Sequence, residues 1–343
     1  MNIQILNPIE YPNWDDLLLT NPGASFFHTS AWARVLSESY NYTPLYFTEI
    51  ENEKLIALIP VMEIKSILTG KRGVSLPFTD LCDPIVQNGN QFNPILENIF
   101  RHGKAAGWKY LEFKGGKGIF HKEPSVSYCY HHTLDLTRSE NDIFSSFKSN
   151  TRRNIRKAIK QGVKIELFNT LESVRSFYRL NCITRKYHGL PPQPFNFFKK
   201  IYEHIISRKK GFVVLASFKE SYVAGAIYFH FGNKVIYKYG ASNRSFQHLR
   251  ANNLIMWESI KWYANNGFKT FIFGKTEPEN KGLLQFKLGW KTKEEIINFY
   301  KYDLIKKYFV SKEPGLKTSY NFFRNMPSPL LRFIGSVLYR HIG

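Results

Sequence analysis

The chain has 343 residues, 43% of them hydrophobic, enough for two domains of ordinary size around a sizeable core. Its formal net charge of +21 suits an anionic partner: nucleic acid, a nucleotide-linked substrate, an acidic polymer or an anionic membrane face. Three cysteines, Cys82, Cys129 and Cys182, lie far apart without a paired spacing, which argues against a disulfide framework and against zinc.

The first residues lack the basic-then-apolar pattern of a signal peptide, and no uncharged apolar run approaches bilayer length. The expectation is a cytoplasmic protein, peripheral on the inner membrane face at most. Residues 1–135 read as a first domain of mixed α and β. A short helix starts within 12–20, and a longer one spans 29–40 with Thr29 or Ser30 as N-cap. Strands at 45–51 and 54–64 pair through a turn at Asn52. The loop 75–84, rich in special residues, carries Asp80. A helix over 93–106 stops at Gly107, a strand follows at 109–113, and 115–118 is a glycine-rich loop. Residues 128–136 alternate as a strand, so Cys129 and the His131-His132 pair are read as structural.

A second domain spans 136–308. Residues 147–164 hold seven Lys or Arg and no acid. Phe147, Ile155, Ala158 and Ile159 recur at helical spacing, while Lys148, Arg152, Arg156 and Lys160 form a stripe at i, i+4. Like charge this dense opposes the helix that carries it, and an anion is the expected compensation. Gly162 stands where a C-cap glycine would, ahead of a strand at 163–168. Helices at 171–187 and 195–208 follow, then strands at 211–218, 222–231 and 234–241. A helix over 251–265 ends at Gly267. A strand at 268–273, a short helix near 282–286 and a last strand at 295–302 complete the domain. Ala-Ala-Gly-Trp-Lys-Tyr-Leu-Glu-Phe (105–113) and Asn-Asn-Gly-Phe-Lys-Thr-Phe-Ile-Phe (265–273) hint at an internal duplication. The tail, 309–343, closes on a short basic amphipathic segment that docks on the core or on anionic lipid.

Five motifs then stand in order: Lys148-x-x-x-Arg-Arg-x-Ile-Arg-Lys-Ala158, Tyr237-Lys-Tyr-Gly-Ala-Ser242, Leu254-Ile-x-Trp257, Gly267-Phe-x-x-Phe-Ile-Phe-Gly274 and Leu284-Gln-Phe-Lys-Leu-Gly-Trp290. Their order and spacing resemble the Fem family of peptidyltransferases and the Fem-like acyltransferases of the GNAT superfamily. The resemblance implies an α/β fold of mixed sheets built as two tandem GNAT-like domains. It implies an acyltransferase that makes an amide by direct amine attack. Acyl-CoA or aminoacyl-tRNA would serve as co-substrate, with no permanently bound cofactor and no metal. The acceptor would be a nucleotide-linked or lipid-linked precursor of peptidoglycan or an envelope polysaccharide. Lys287 matches the lysine of the Fem pattern Phe-Lys-x-Gly-Phe, and Tyr239 and Ser242 match Tyr-x-Gly-x-Ser. The chain departs from the family at Leu36, where a lysine often follows Trp32 by four residues. It also departs at 247–252, where a GNAT phosphate loop is glycine-rich and this one has no glycine.

The expected catalytic group is therefore Lys287, Tyr239 and Asp80. Lys287 would donate to the oxyanion, a contact worth roughly 3 kcal/mol, or hold a phosphate. Tyr239 would serve the leaving group, and Asp80 would anchor the amine or act as its base. Arg152, Arg153, Arg156, Lys157, Ser242 and Arg250 would bind substrate or phosphate, Arg250 at a helix start. A covalent serine mechanism has no motif here. The rival reading is a non-enzymatic basic protein that binds RNA, such as tRNA, or an anionic membrane.

Overall fold

The computed structural model describes residues 2–86, 92–116, 118–120, 122–311 and 321–343. In chain order the elements are β1 (Ile3–Leu6), α1 (Trp14–Leu19), α2 (Ser30–Tyr40), β2 (Thr43–Glu51), β3 (Lys54–Ser66), β4 (Gly70–Val74), β5 (Ile85–Val86), α3 (Phe92–Ala105), β6 (Tyr110–Lys114) and β7 (Ser127–Asp135). Then come α4 (Glu140–Ser146), α5 (Ser149–Lys160), β8 (Lys164–Phe168), α6 (Leu171–Tyr187), α7 (Phe195–Ile201), β9 (Gly211–Phe218), β10 (Ser221–Phe231) and β11 (Lys234–Ser242). The chain finishes with α8 (Ala251–Asn265), β12 (Thr270–Thr276), α9 (Lys281–Leu288), β13 (Lys293–Asp303), β14 (Tyr308–Phe309), α10 (Asn321–Arg324) and α11 (Ser328–Leu338).

Two compact units result. The first takes the described parts of Met1–Tyr130, Ile296–Leu316 and Val337–Gly343, and the second those of His131–Glu295 and Lys317–Ser336. Where contiguous domains cut at 135 and 308 were expected, most of β13, all of β14 and residues 337–343 group with the first unit.

In the first unit β1, β2, β3 and β4 pair antiparallel in sequence order, β4 pairs parallel with β6, and β13 runs antiparallel beside β6. Phe92, Ile95 and Ile99 of α3 bury their stripe against Phe47, Ile59, Leu111 and Phe113. In the second unit β8, β9, β10 and β11 form an antiparallel run, and β11 pairs parallel with β12. The crossover α8 has buried residues on every side, among them Leu254, Met256, Trp257, Ile260 and Tyr263. A helix apolar all round belongs inside a core.

Each unit therefore contains an antiparallel run whose last strand pairs in parallel with the strand after a crossover helix. The two crossovers end alike. Gly107 and Gly267 sit at φ +75° and +81°, and the next residue, Trp108 or Phe268, donates its N–H five residues back, to Gly103 O or Tyr263 O. This is a left-handed helix stop that only glycine adopts without strain. The residue pairs that hinted at duplication are these two stops.

The basic helix is shorter than its spacing implied. Phe147 (φ −63°, ψ 150°) and Lys148 (φ −57°, ψ 145°) are both extended, so α4 ends at Ser146 and α5 begins at Ser149. The Phe147 ring packs at 5.6 Å on Trp257 and at 5.0 Å on Trp290. Thr151, Ile155 and Ala158 make the buried seam, and Ile159, expected there, is exposed. Cys82, Cys129 and Cys182 form no disulfide among the described residues.

At Gly107 and Gly267 an added Cβ would meet nothing within 4 Å, so backbone strain alone sets the cost of a side chain. Gly107→Ala and Gly267→Ala should each lower unfolding free energy by about 1 kcal/mol, read as a shift of the urea midpoint at unchanged slope.

Candidate functional site

A cavity of about 590 Å³ opens in the second unit at the end of β11. On one side of β11, the pairing with β12 covers only Lys234–Ile236 and Thr270–Ile272. Beside that point β10 and β11 shift register between Ile227 and Tyr228, leaving Lys238 as a bulge. Thr184 on α6 fixes the end of β11: its hydroxyl donates to Ser242 O at 3.1 Å and accepts from Ser242 N at 2.9 Å. Asn252 Nδ2 donates to Ser242 Oγ at 3.3 Å, within the lining.

Two helices begin at this cavity. Lys148, Asn150, Thr151 and Asn154 of the α5 start face it, as do Arg250, Ala251, Asn252 and Asn253 of the α8 start. Neither helix has an acidic residue in its first turn, and neither N-cap residue, Lys148 or Arg250, bonds the helix through its side chain. Helix starts of this kind present backbone N–H groups and positive dipole ends to whatever occupies the space. Lys148, Arg244 and Arg250 add charge, and no Asp or Glu is among the described lining residues. Arg244 stacks over the Tyr187 ring at 3.9 Å. The arrangement is built to hold an anion next to a planar or apolar group. Arg250 takes φ +60°, ψ 28°, the conformation a loop glycine would supply, and its side chain fills space that a glycine would leave open.

The segment 286–290 ties these parts together. Phe286 lines the cavity. Gly289 O accepts from Lys148 N at 3.0 Å, and a Cβ at Gly289 would collide with Thr151 Oγ1, so glycine lets the α5 start approach. Trp290 is fully buried against Phe147. Lys287 is 2% exposed, and its Nζ donates to Gly274 O at 2.8 Å and Lys275 O at 2.9 Å, on the stretch of β12 that has left β11.

Lys287 also faces a buried histidine. Thr292 Oγ1 donates to Lys287 O at 3.2 Å and lies 3.3 Å from His132 Nδ1. His132 Nε2 lies 3.9 Å from Glu294 Oε2. Burial first, then the Lys287 charge, hold the His132 pKa down to about 4.

Of the residues expected from sequence, Ser242 and Arg250 line the cavity. Lys287, expected as an oxyanion donor, is not among them: its ammonium is turned into the protein onto two carbonyls. Tyr239 is also outside the lining, with its ring among Phe197, Phe198 and Phe229, because the side chain leaves the other face of β11. Asp80 is a half-buried loop residue of the first unit. The three are not gathered in this cavity. Arg152, Arg153, Arg156 and Lys157 point elsewhere: Arg152 donates to Ser145 O at 2.8 Å, Arg153 to Asn150 Oδ1 at 3.0 Å, Arg156 covers the Phe144 ring, and Lys157 is exposed. The cavity uses instead Lys148, Asn150, Asn154, Arg244 and Asn252, which sequence reasoning did not assign. Their signal was present: two helix starts without an acid in the first turn.

Residues 145–287 match the acetyltransferase (GNAT) domain family, a span that runs from the start of the basic region to Lys287. The chain is 22% identical to the lipid II:glycine glycyltransferase of Staphylococcus haemolyticus, over 55% of this chain and 60% of that protein. The corresponding protein of Staphylococcus aureus is 21% identical. The chain thus spans about three fifths of the length of these curated relatives. Among solved structures, the crystal structure of FemX aligns with TM-score 0.68 at 14% identity, covering 87% of this chain and 97% of that one. A tandem GNAT protein from the clavulanic acid pathway aligns with TM-score 0.58 at 7% identity, covering 88% and 98%. The fold is that of tandem GNAT-like proteins.

Replacing Lys287 by Met leaves two carbonyls of β12 unpaired. Lys287→Met should cost about 2 kcal/mol of unfolding free energy, measured by urea denaturation. His132 sets a pH dependence. The unfolded chain takes up its proton near 6.5 and the folded one only near 4. Its contribution is therefore fully present above about pH 6.5 and is lost as pH falls toward 4. Over that window His132→Asn should show a flatter dependence of thermal midpoint on pH than the parent.

Proposed function

We propose that the chain is a Fem-like member of the GNAT superfamily and an acyltransferase that forms an amide on an envelope precursor. The observation that carries this reading is the meeting of two acid-free helix starts with Lys148, Arg244 and Arg250 around one cavity. An activated acyl donor that carries phosphate some distance from its acyl group suits such a lining. Its phosphate would lie at the α8 start, under Arg250 and the amides of Ala251 and Asn252, with Lys148 opposite. Ser242 and Asn252 would orient the acyl end.

Aminoacyl-tRNA is the donor that the lining favours. With Arg250 and Asn252 in place of glycines, the loop suits a phosphodiester gripped by side chains better than a pyrophosphate laid against bare backbone. Acyl-CoA is the second reading, favoured by the match of residues 145–287 to an acetyltransferase domain. With tRNA the neutral amine of the acceptor attacks the ester carbonyl, a C–N bond forms, the C–O bond to ribose breaks, and the amine's proton ends on the ribose hydroxyl. Holding the two partners in line can contribute up to about 7–11 kcal/mol.

The relatives named for lipid II and glycine suggest a lipid-linked acceptor bearing a free amine, such as a peptidoglycan precursor. On this reading the work would be done at the inner face of the membrane, by peripheral contact. Among the described residues no helix is long and apolar enough to cross a bilayer.

Glycyl-tRNA and acetyl-CoA, each supplied with lipid II, test the donor by mass of the product. Glycyl transfer is expected. Lys148→Ala and Arg250→Ala should each raise KM for the donor about tenfold with kcat little changed, and added salt should raise it further. Salt-sensitive RNA binding with neither donor consumed would instead establish the non-enzymatic basic protein.

A further inference from the structure

We propose that the tip of the β3–β4 hairpin, together with the C-terminal corner packed against it, docks on an anionic lipid bilayer. The tip offers two adjacent apolar side chains almost wholly to solvent, Ile67 at 96% exposure and Leu68 at 66%, and Ile342 in the corner is 58% exposed. Solvent-facing hairpin tips favour polar turn residues, so this pair needs a partner that removes it from water.

The backbone of the tip is prepared to leave water. Leu68 N and Thr69 N both donate to Ser66 Oγ, at 3.1 and 3.0 Å. A polar chain enters lipid cheaply only when such groups are bonded internally. The corner is equally fixed. Ser66 Oγ lies 3.0 Å from His341 Nδ1, Thr69 Oγ1 donates to His341 O at 3.3 Å, and buried Arg72 donates to His341 O and Gly343 O at 2.8 and 3.0 Å.

Charge selects the occupant. Lys65 and Lys71 flank the tip, Lys109 lies against Gly70, and Arg340 is exposed beside the corner. The nearby acid, Glu63, is buried and shared by Lys65 and Lys71. A small apolar wedge within a cationic ring fits a bilayer rich in anionic headgroups. Val337, where the corner begins, is 45% exposed and adds to its apolar surface.

This surface is argued apart from the cavity, and the test separates them. The full chain is sedimented with phosphatidylglycerol-containing vesicles and with pure phosphatidylcholine vesicles at matched ionic strength. The parent should bind the first and not the second. Ile67→Ser with Leu68→Ser should weaken binding about tenfold or more with an unchanged thermal midpoint, and Lys65→Glu with Lys109→Glu should weaken it further as salt rises. Equal binding by the double serine variant, no vesicle binding by the parent, or an Ile67-dependent dimer in sedimentation velocity would each overturn the proposal. Acyl transfer to a water-soluble amine acceptor should be the same in parent and serine variant. If that transfer is absent from both while vesicle binding holds, the acyl-transfer reading falls and the docking surface stands.

Discussion

The parting of β11 from β12 is the constraint on which the second unit depends. Two parallel strands that separate after three residue pairs leave a gap and expose backbone groups that a continuous ladder would have satisfied. Lys287 takes two of the carbonyls beyond the last pair, Gly274 O and Lys275 O. A buried ammonium is costly unless it is fully bonded, so Lys287 marks how much the open strand end requires. The same short segment supplies Gly289, which admits the α5 start, and Trp290, which locks Phe147. Cavity and support are thus one arrangement.

The cationic helix resolves its own charge problem by dividing its residues between jobs. Arg152, Arg153 and Arg156 are occupied locally, by a carbonyl, an amide oxygen and an aromatic face. Lys157 and Lys160 stand at the last turn, where cations favour the helix dipole. The opposite end carries no compensating acid. It faces a second helix start that also lacks one, and Arg250 is held there in a left-handed conformation. Both helix starts would gain from an anion, which is what a binding site there would supply.

Much of the fold was legible in the sequence because it is encoded locally. The strand runs, the apolar α8 and the glycine stops at Gly107 and Gly267 depend on neighbours within a few residues. The break at Phe147 was not legible, because nothing local forbids helix there: the aromatic contacts with Trp257 and Trp290 hold it extended. The expected site residues are brought together only in part. Ser242, expected from a family pattern at a strand end, and Arg250, expected at a helix start, line the cavity. Lys287 and Tyr239 matched a family pattern, yet a pattern fixes which residue stands at a position and not which way its side chain leaves the backbone.

The sequence by itself determined the α/β class, the tandem repeat, the excess of cations and the family likeness, since these follow from composition, period and motif order. Only the tertiary structure decided that β13 and the last residues return to the first unit, because strand pairing ignores distance along the chain. It alone decided that Lys148 and not Arg153 faces the cavity, because the first helical residue sets the phase of every side chain after it. It also decided that Lys287 points inward, because the carbonyls it serves are freed by a strand separation that no local pattern announces.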